Sequence, residues 1–143
     1  MISSILKGKG TEVVSVSPGD SVLAVSRVLT ERGIGAALVR DAAGGVVGII
    51  SERDIVRGMA NQGQGTTQLP AERLMTRDLV TVTPHTRVSE AMELMTRRRV
   101  RHLPVLENGG LVGLVSIGDL VKARIDEAEH EAAELKAYVV SGG

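Results

Sequence analysis

Two seven-residue stretches carry the residue types from which a binding site could be built. Gly48-Ile49-Ile50-Ser51-Glu52-Arg53-Asp54 and Gly113-Leu114-Val115-Ser116-Ile117-Gly118-Asp119 share one order: glycine, two aliphatics, serine, two variable positions, aspartate. Each closes an aliphatic run suited to a strand and opens a helical stretch. At such a junction Ser-x-x-Asp can cap the helix: the serine oxygen takes a first-turn N–H, and the carboxylate reaches back to the serine amide. The same geometry also suits a ligand. A helix N-terminus offers unpaired N–H groups and partial positive charge, which favour a phosphate, and the serine hydroxyl adds a donor. The aspartate repels phosphate but can accept both hydroxyls of a neutral diol such as ribose. Glycine ahead of the aliphatic pair lets something approach the strand closely. On the residues alone both readings, a cap and a sugar-and-phosphate grip, stay open.

Other chemistry has little support. There is no cysteine, which excludes disulfides, thiolate metal sites and thiol catalysis. His85, His102 and His130 stand far apart without metal-ligand spacing, and Ser51 has no histidine near it in the repeat pattern that could activate it. The expectation is therefore a chain that is not an enzyme and requires no metal. Arg97-Arg98-Arg99-Val100-Arg101 is the one dense basic run; Arg97 and Arg98 read as a solvated helix end offsetting the dipole. A nucleic-acid surface is unfavoured, because the formal net charge is zero and one tyrosine, Tyr138, is the sole aromatic residue available for stacking.

The elements that position the two junctions come as a repeat. Val14-Ser15-Val16-Ser17-Pro18 returns as Val80-Thr81-Val82-Thr83-Pro84. Amphipathic helices follow, with Val22, Val25 and Leu29 on one face of the first and Val88, Ala91, Met92 and Met95 on one face of the second. Next come short apolar strands, Ile34–Val39 and Val100–Val105. Glycine-rich turns then lead to return strands Val46–Ser51 and Leu111–Ser116, with glycine or asparagine supplying positive φ. The expected organisation is a first repeat over 1–61, a polar linker over 62–69, a second repeat over 70–125 and a C-terminal helix or tail over 126–143. Pro70 opens a short helix through Met75, and Ile2–Leu6 reads as its counterpart ahead of the first repeat. Near the end, Val121, Ile125, Ala128, Ala132, Leu135 and Val139 alternate spacings of four and three, the seam of a coiled coil. That helix could dock on its own domain or join a second subunit. No 18-residue apolar run exists, and the first residues lack the pattern of a secretory signal, so the expected address is cytoplasmic and no membrane is expected as partner.

The duplicated start, the Arg101-His102-Leu103-Pro104-Val105 strand and the Gly-h-h-Ser-x-x-Asp ending together resemble a tandem pair of CBS domains, a Bateman module, over residues 2 to 125. The resemblance implies an α/β (α+β) fold, two pseudo-twofold-related βαββα repeats plus a C-terminal helix, with clefts between the repeats that bind adenosine compounds: AMP, ADP, ATP, NAD(H) or S-adenosylmethionine. Carried over by position, Asp54 and Asp119 would hold ribose, with Ser51 and Ser116 beside ribose or phosphate. Ile49 and Leu114 would line the adenine slot. Ser17 and Val22, with Thr83 and Val88, would complete the clefts. Phosphate-binding positions at the first hairpin strand fall on Gly35 and Ala36 in copy one and on Arg101 and His102 in copy two. Arg53, with Gly118 as its counterpart, adds to the inequality, so the two clefts are expected to differ in phosphate preference. The implied function is a nucleotide sensor that signals by conformational change to a separate effector protein, as a homodimer and as a stand-alone CBS-domain protein. The alternative is a structural dimerisation module whose Ser-x-x-Asp pairs only cap helices.

Overall fold

A computed structural model describes residues 1–140 of the chain; the last three positions of the expected tail lie outside the described residues. In order the elements are α1 (Ile2–Lys9), β1 (Ser15–Val16), α2 (Val22–Arg32), β2 (Ala36–Arg40), β3 (Val46–Ser51), α3 (Glu52–Gln62), a 3-10 helix (Gly63–Gln68), α4 (Ala71–Leu74), α5 (Val88–Arg98), β4 (His102–Glu107), β5 (Gly110–Ser116) and α6 (Ile117–Val140). They form two compact units: one runs from Glu12 to Leu79, and the other joins Met1–Thr11 to the chain from Val80 onward.

In the first unit β1 pairs parallel with β2, and β2 antiparallel with β3. Register places Ala37 opposite Ile50 and Val39 opposite Gly48. Because side chains alternate across a sheet, these share the face that packs on Val25 and Leu29 of α2. Ser21 caps α2 by accepting the Ala24 amide, and Gly33 ends it at φ 62°. The Gly63–Gln68 connection is ordered, since Thr66 is buried and its hydroxyl donates to the Gly58 and Gly63 carbonyls.

The second unit repeats the plan with two departures. The counterpart of β1 shrinks to a single parallel bridge, Val82 to Val105. In copy one the Leu38 amide donates to the Val14 carbonyl. The matching position in copy two is Pro104, which has no N–H, so that rung is lost. The second departure is Arg99, which ends α5 at φ 55° where copy one has a glycine. The β4–β5 turn takes positive φ at Asn108 and Gly109, as expected from its residues.

Each unit is completed by the helix that precedes the other repeat. The Ile2 and Ser3 amides donate to the Thr86 and Pro84 carbonyls, and the Ala71 and Glu72 amides donate to Asp20 and Pro18, the matching positions 66 residues earlier. Ile2 and Leu6 join the core of Val88, Ala91, Met95, Leu103, Val105, Val115 and Leu120, while Ala71 joins that of Val25, Leu29 and Ile50.

Candidate functional site

The copy-one junction is closed by its own contacts. Ser51 is the N-cap of α3, and its Oγ accepts the Asp54 amide at 3.3 Å. Asp54 Oδ2 accepts the Ser51 amide at 2.9 Å and the Ser51 hydroxyl at 3.1 Å, while Oδ1 accepts the Thr76 hydroxyl at 3.2 Å. Arg57 stands 3.7 Å from the same Oδ1, and Asp54 is only 7% exposed. This is a complete capping box with a third partner, and it uses the carboxylate on both oxygens. Ile49 exchanges two backbone bonds with Thr76, which holds that partner in place. Around the junction, Gly35 gives its carbonyl to the Glu52 amide and Ala36 pairs with Ser51. Arg53 is exposed, Val22 is buried, and the exposed Ser17 has its amide bonded to Asp20.

The copy-two junction has the same frame and a different outcome. The Ser116 amide donates to Asp119 Oδ2 at 2.8 Å, and Ser116 Oγ accepts the Asp119 amide at 3.2 Å. Where copy one brings a neutral hydroxyl, copy two brings a cation: Lys9, at the end of α1, donates to Asp119 Oδ2 at 2.6 Å. Burial pushes this carboxyl up, but the Lys9 hydrogen bond, the Ser116 donors and the Lys9 charge outweigh it and hold Asp119 below its ordinary range. Asp119 also lines a cleft of about 420 Å³, together with Met1, Ile5 and Lys9 of the N-terminal segment, Val88 at the start of α5, and Lys122, Asp126 and Glu127 of α6.

Of the copy-two residues expected at a site, Val88 and Asp119 therefore share a cleft, and Ser116 is bonded to Asp119. Across the hairpin His102 faces Ser116, and the Arg101 carbonyl accepts the Ile117 amide, so both lie beside the start of α6. Thr83 lines a different cleft, of about 390 Å³, with Thr86, Glu90 and Arg97. Leu114 is half-buried on the sheet face opposite Val115.

Sequence reasoning did not find Lys9, Lys122 or Thr76. It did find the close approach at the glycines, and what approaches is the chain itself. A Cβ on Gly113 would lie 2.5 Å from Leu6 Cδ2, and one on Gly48 would lie 2.7 Å from Met75 Sδ and 2.9 Å from the Thr76 carbonyl. Those glycines seat the exchanged helices. Among the described residues no buried side-chain polar atom lacks a partner, so a ligand would have to bind through groups that remain partly exposed, as Lys9 and Asp119 do.

Comparison with known proteins fits this architecture. The CBS domain family model matches residues 9–61 and 71–126. The mitochondrial CBS domain-containing protein CBSX3 of Arabidopsis thaliana is 36% identical over 149 aligned residues, covering 99% of this chain and 72% of that protein. A crystal structure of a CBS-domain containing protein from Agrobacterium tumefaciens superposes with a TM-score of 0.85 at 42% identity, over 86% of this chain and 92% of that one. At 21% identity, which speaks to fold alone, the CBS domain pair of protein MJ0100, solved in complex with 5′-methylthioadenosine and S-adenosyl-L-methionine, superposes with a TM-score of 0.78, covering 89% of this chain and 97% of that one. Among the described residues no helix is long and apolar enough to cross a membrane. With the family matched on both repeats and the fold matched over most of the chain, this protein belongs to the CBS domain family as a tandem CBS pair.

Proposed function

We propose that this CBS pair is a regulatory module that binds an adenosine compound in the copy-two cleft and passes its occupancy to a separate protein. The observation that carries the proposal is Asp119, a carboxylate at a helix start that lines an open cleft and is bonded to a releasable lysine. A ribose diol would take Asp119 oxygens in competition with Lys9. Lys9 belongs to α1, so binding would alter the hold on that helix, and a ligand shifts an equilibrium only through such differential contacts. Charge on the cleft favours some adenosine compounds over others. Lys9 and Lys122 face Asp119 and Asp126, while Glu127 is paired with Arg124, so the cleft has no excess of positive charge to hold a polyphosphate, and AMP or S-adenosylmethionine is preferred over ATP. Arg101 and His102 would serve a single phosphate, and copy one would bind more weakly or not at all. A cytoplasmic site of action and the absence of catalysis belong to the same proposal.

A second reading is a structural module without ligand, favoured by the fully bonded Asp54. A thermal-shift panel with AMP, ADP, ATP, NAD(H), S-adenosylmethionine and 5′-methylthioadenosine separates the two, because a ligand that binds only the folded state raises Tm by mass action. We expect a rise with at least one compound and its loss in Asp119→Asn. A silent panel, or a rise that Asp119→Asn leaves intact, would reject the proposed site.

A further inference from the structure

The far half of α6 is an unpartnered helix whose two sides carry different instructions. Leu120 is fully buried and Ala123 packs on the unit's core, so the face holding them anchors the helix. The stripe of Val121, Ile125, Ala128, Ala132, Leu135 and Val139 lies roughly 120° round from that face at the ordinary helical period. It is open to water: Val121 is 41% exposed, Ile125 52%, Leu135 66% and Val139 65%. From Ala128 onward every described residue is exposed. An isolated helical segment of this length is marginal in water, although here the packed first turns of α6 have already met the cost of nucleation.

The flanks of the stripe say what should cover it. With Val121, Ile125, Ala128, Ala132, Leu135 and Val139 as alternating core positions d and a, the flanking g positions are Arg124, Glu131 and Tyr138, and the flanking e positions are Lys122, Glu129 and Lys136. In a parallel, in-register pair each g residue meets the next e residue of the partner. That sets Arg124 against Glu129 and Glu131 against Lys136, opposite charges in both cases and doubled by symmetry. An antiparallel pair with the same stripe buried meets e with e and g with g. It sets Lys122 against Lys136, Glu129 against itself and Glu131 against itself, three like-charge contacts, and places Arg124 opposite Tyr138 with no acid across the seam to pair with. Arg124, which ion-pairs with Glu127 of its own helix at 3.0 Å, would exchange that exposed partner for one across the seam.

We propose that the far half of α6 forms a parallel, in-register two-stranded coiled coil with a second copy of this chain, held by the Val121–Val139 stripe and oriented by the Arg124–Glu129 and Glu131–Lys136 pairs. The inference rests on the seam and its flanks and stands independently of any ligand.

The chain has no cysteine, so a single introduced thiol is a clean probe. In the full chain Val139→Cys places two core positions face to face only in the parallel register, whereas in the antiparallel one residue 139 meets Val121. Ala137→Cys, on the outer side, is the control. We expect Val139→Cys to cross-link to a dimer under mild oxidation at least tenfold faster than Ala137→Cys, and wild type at micromolar concentration to show twice the 15.1 kDa chain mass by light scattering. Adding Leu135→Glu should abolish the cross-link. Glu131→Lys should weaken it, and Glu131→Lys with Lys136→Glu should restore it. Both lie on the exposed helix, and an unchanged circular dichroism melt verifies that the fold is kept. A wild-type mass of one chain, equal cross-linking at 137 and 139, or indifference to Leu135→Glu or to Glu131→Lys would overturn the proposal.

Discussion

Gly113→Ala adds one methyl group where Leu6 already stands. The new Cβ would lie 2.5 Å from Leu6 Cδ2, with Cδ1 at 3.4 Å and Cγ at 3.5 Å. Carbon atoms rest about 3.5–4.0 Å apart, so one contact is short by about 1 Å. Gly113 is outside the left-handed region, so alanine fits the backbone and by itself would add about 0.4–1 kcal/mol through the unfolded state. Overpacking costs about 1–3 kcal/mol, and the lower half applies because the clashing atom is the free end of a side chain. The net expectation for Gly113→Ala is a loss of about 1 kcal/mol. Leu6→Ala, which removes a buried side chain, should cost about 2–3 kcal/mol. In the Leu6→Ala background the new methyl meets a cavity, so Gly113→Ala should reverse sign and stabilise by about 0.5–1 kcal/mol. The cycle should therefore show a coupling of about 1.5–2 kcal/mol. Urea titration followed by far-UV circular dichroism measures it as midpoint shifts at constant slope, without needing tryptophan, which this chain lacks. Additivity to within about 0.5 kcal/mol would refute the seating of α1 over Gly113.

Three further outcomes follow from the same contacts. Asp119 is held below its ordinary value of 3.8, so the Lys9–Asp119 pair should stabilise the fold fully at neutral pH and lose that contribution as pH falls through 3.8 and on to the lowered value. Both partners are partly exposed, so Lys9→Met should cost about 0.2–1 kcal/mol at pH 7, and its urea midpoint should converge on wild type in acid; curves that stay parallel would deny the linkage. Arg99→Gly relieves a left-handed residue at about 1–2 kcal/mol but loosens the unfolded chain by about 0.4–1 kcal/mol, so it should stabilise by a net of about 0.5–1 kcal/mol, seen as a Tm rise of about 1–4 °C; a lowered Tm counts against strain at that position. Asp54→Ala strips the partner from the Ser51 amide, the Ser51 hydroxyl and the Thr76 hydroxyl at once and should cost about 2–3 kcal/mol, clearly more than Asp119→Ala; equal losses would contradict the difference in burial.

How much of this was legible in the sequence divides along the range of the interaction. The helix starts at Glu52 and Ile117, the Asn108–Gly109 turn and the Ser51–Asp54 box depend on residues within a few positions of one another, and the sequence pattern identifies them. Which repeat each leading helix would complete was not legible, because the apolar pairs Ile2/Leu6 and Ala71/Met75 fit a sheet of either copy equally well. The distinguishing feature is the hole above Gly113 or Gly48, which exists only once the sheets are built. Lys9 and Asp119 are 110 positions apart, and nothing local in either predicts the other. The loss of the second copy's first strand, by contrast, could have been read from Pro104, which stands where Leu38 donates a ladder bond in copy one.

The two Ser-x-x-Asp junctions begin as the same capping device and diverge through what each neighbouring segment brings to the carboxylate. Thr76 arrives on backbone that exchanges two hydrogen bonds with Ile49, so removing its hydroxyl from Asp54 means breaking a bridge between main chains in a site that water barely reaches. Lys9 arrives at the last residue of a helix, on a flexible side chain 37% exposed, and water can replace it on Asp119 at small cost. A carboxylate exchanges partners when its present one is mobile and hydrated, and keeps them when they are buried and fixed by backbone. On that ground the proposed function gives Asp54 a structural part and Asp119 that of the exchangeable acceptor, and a ligand of this pair should read the second copy before the first.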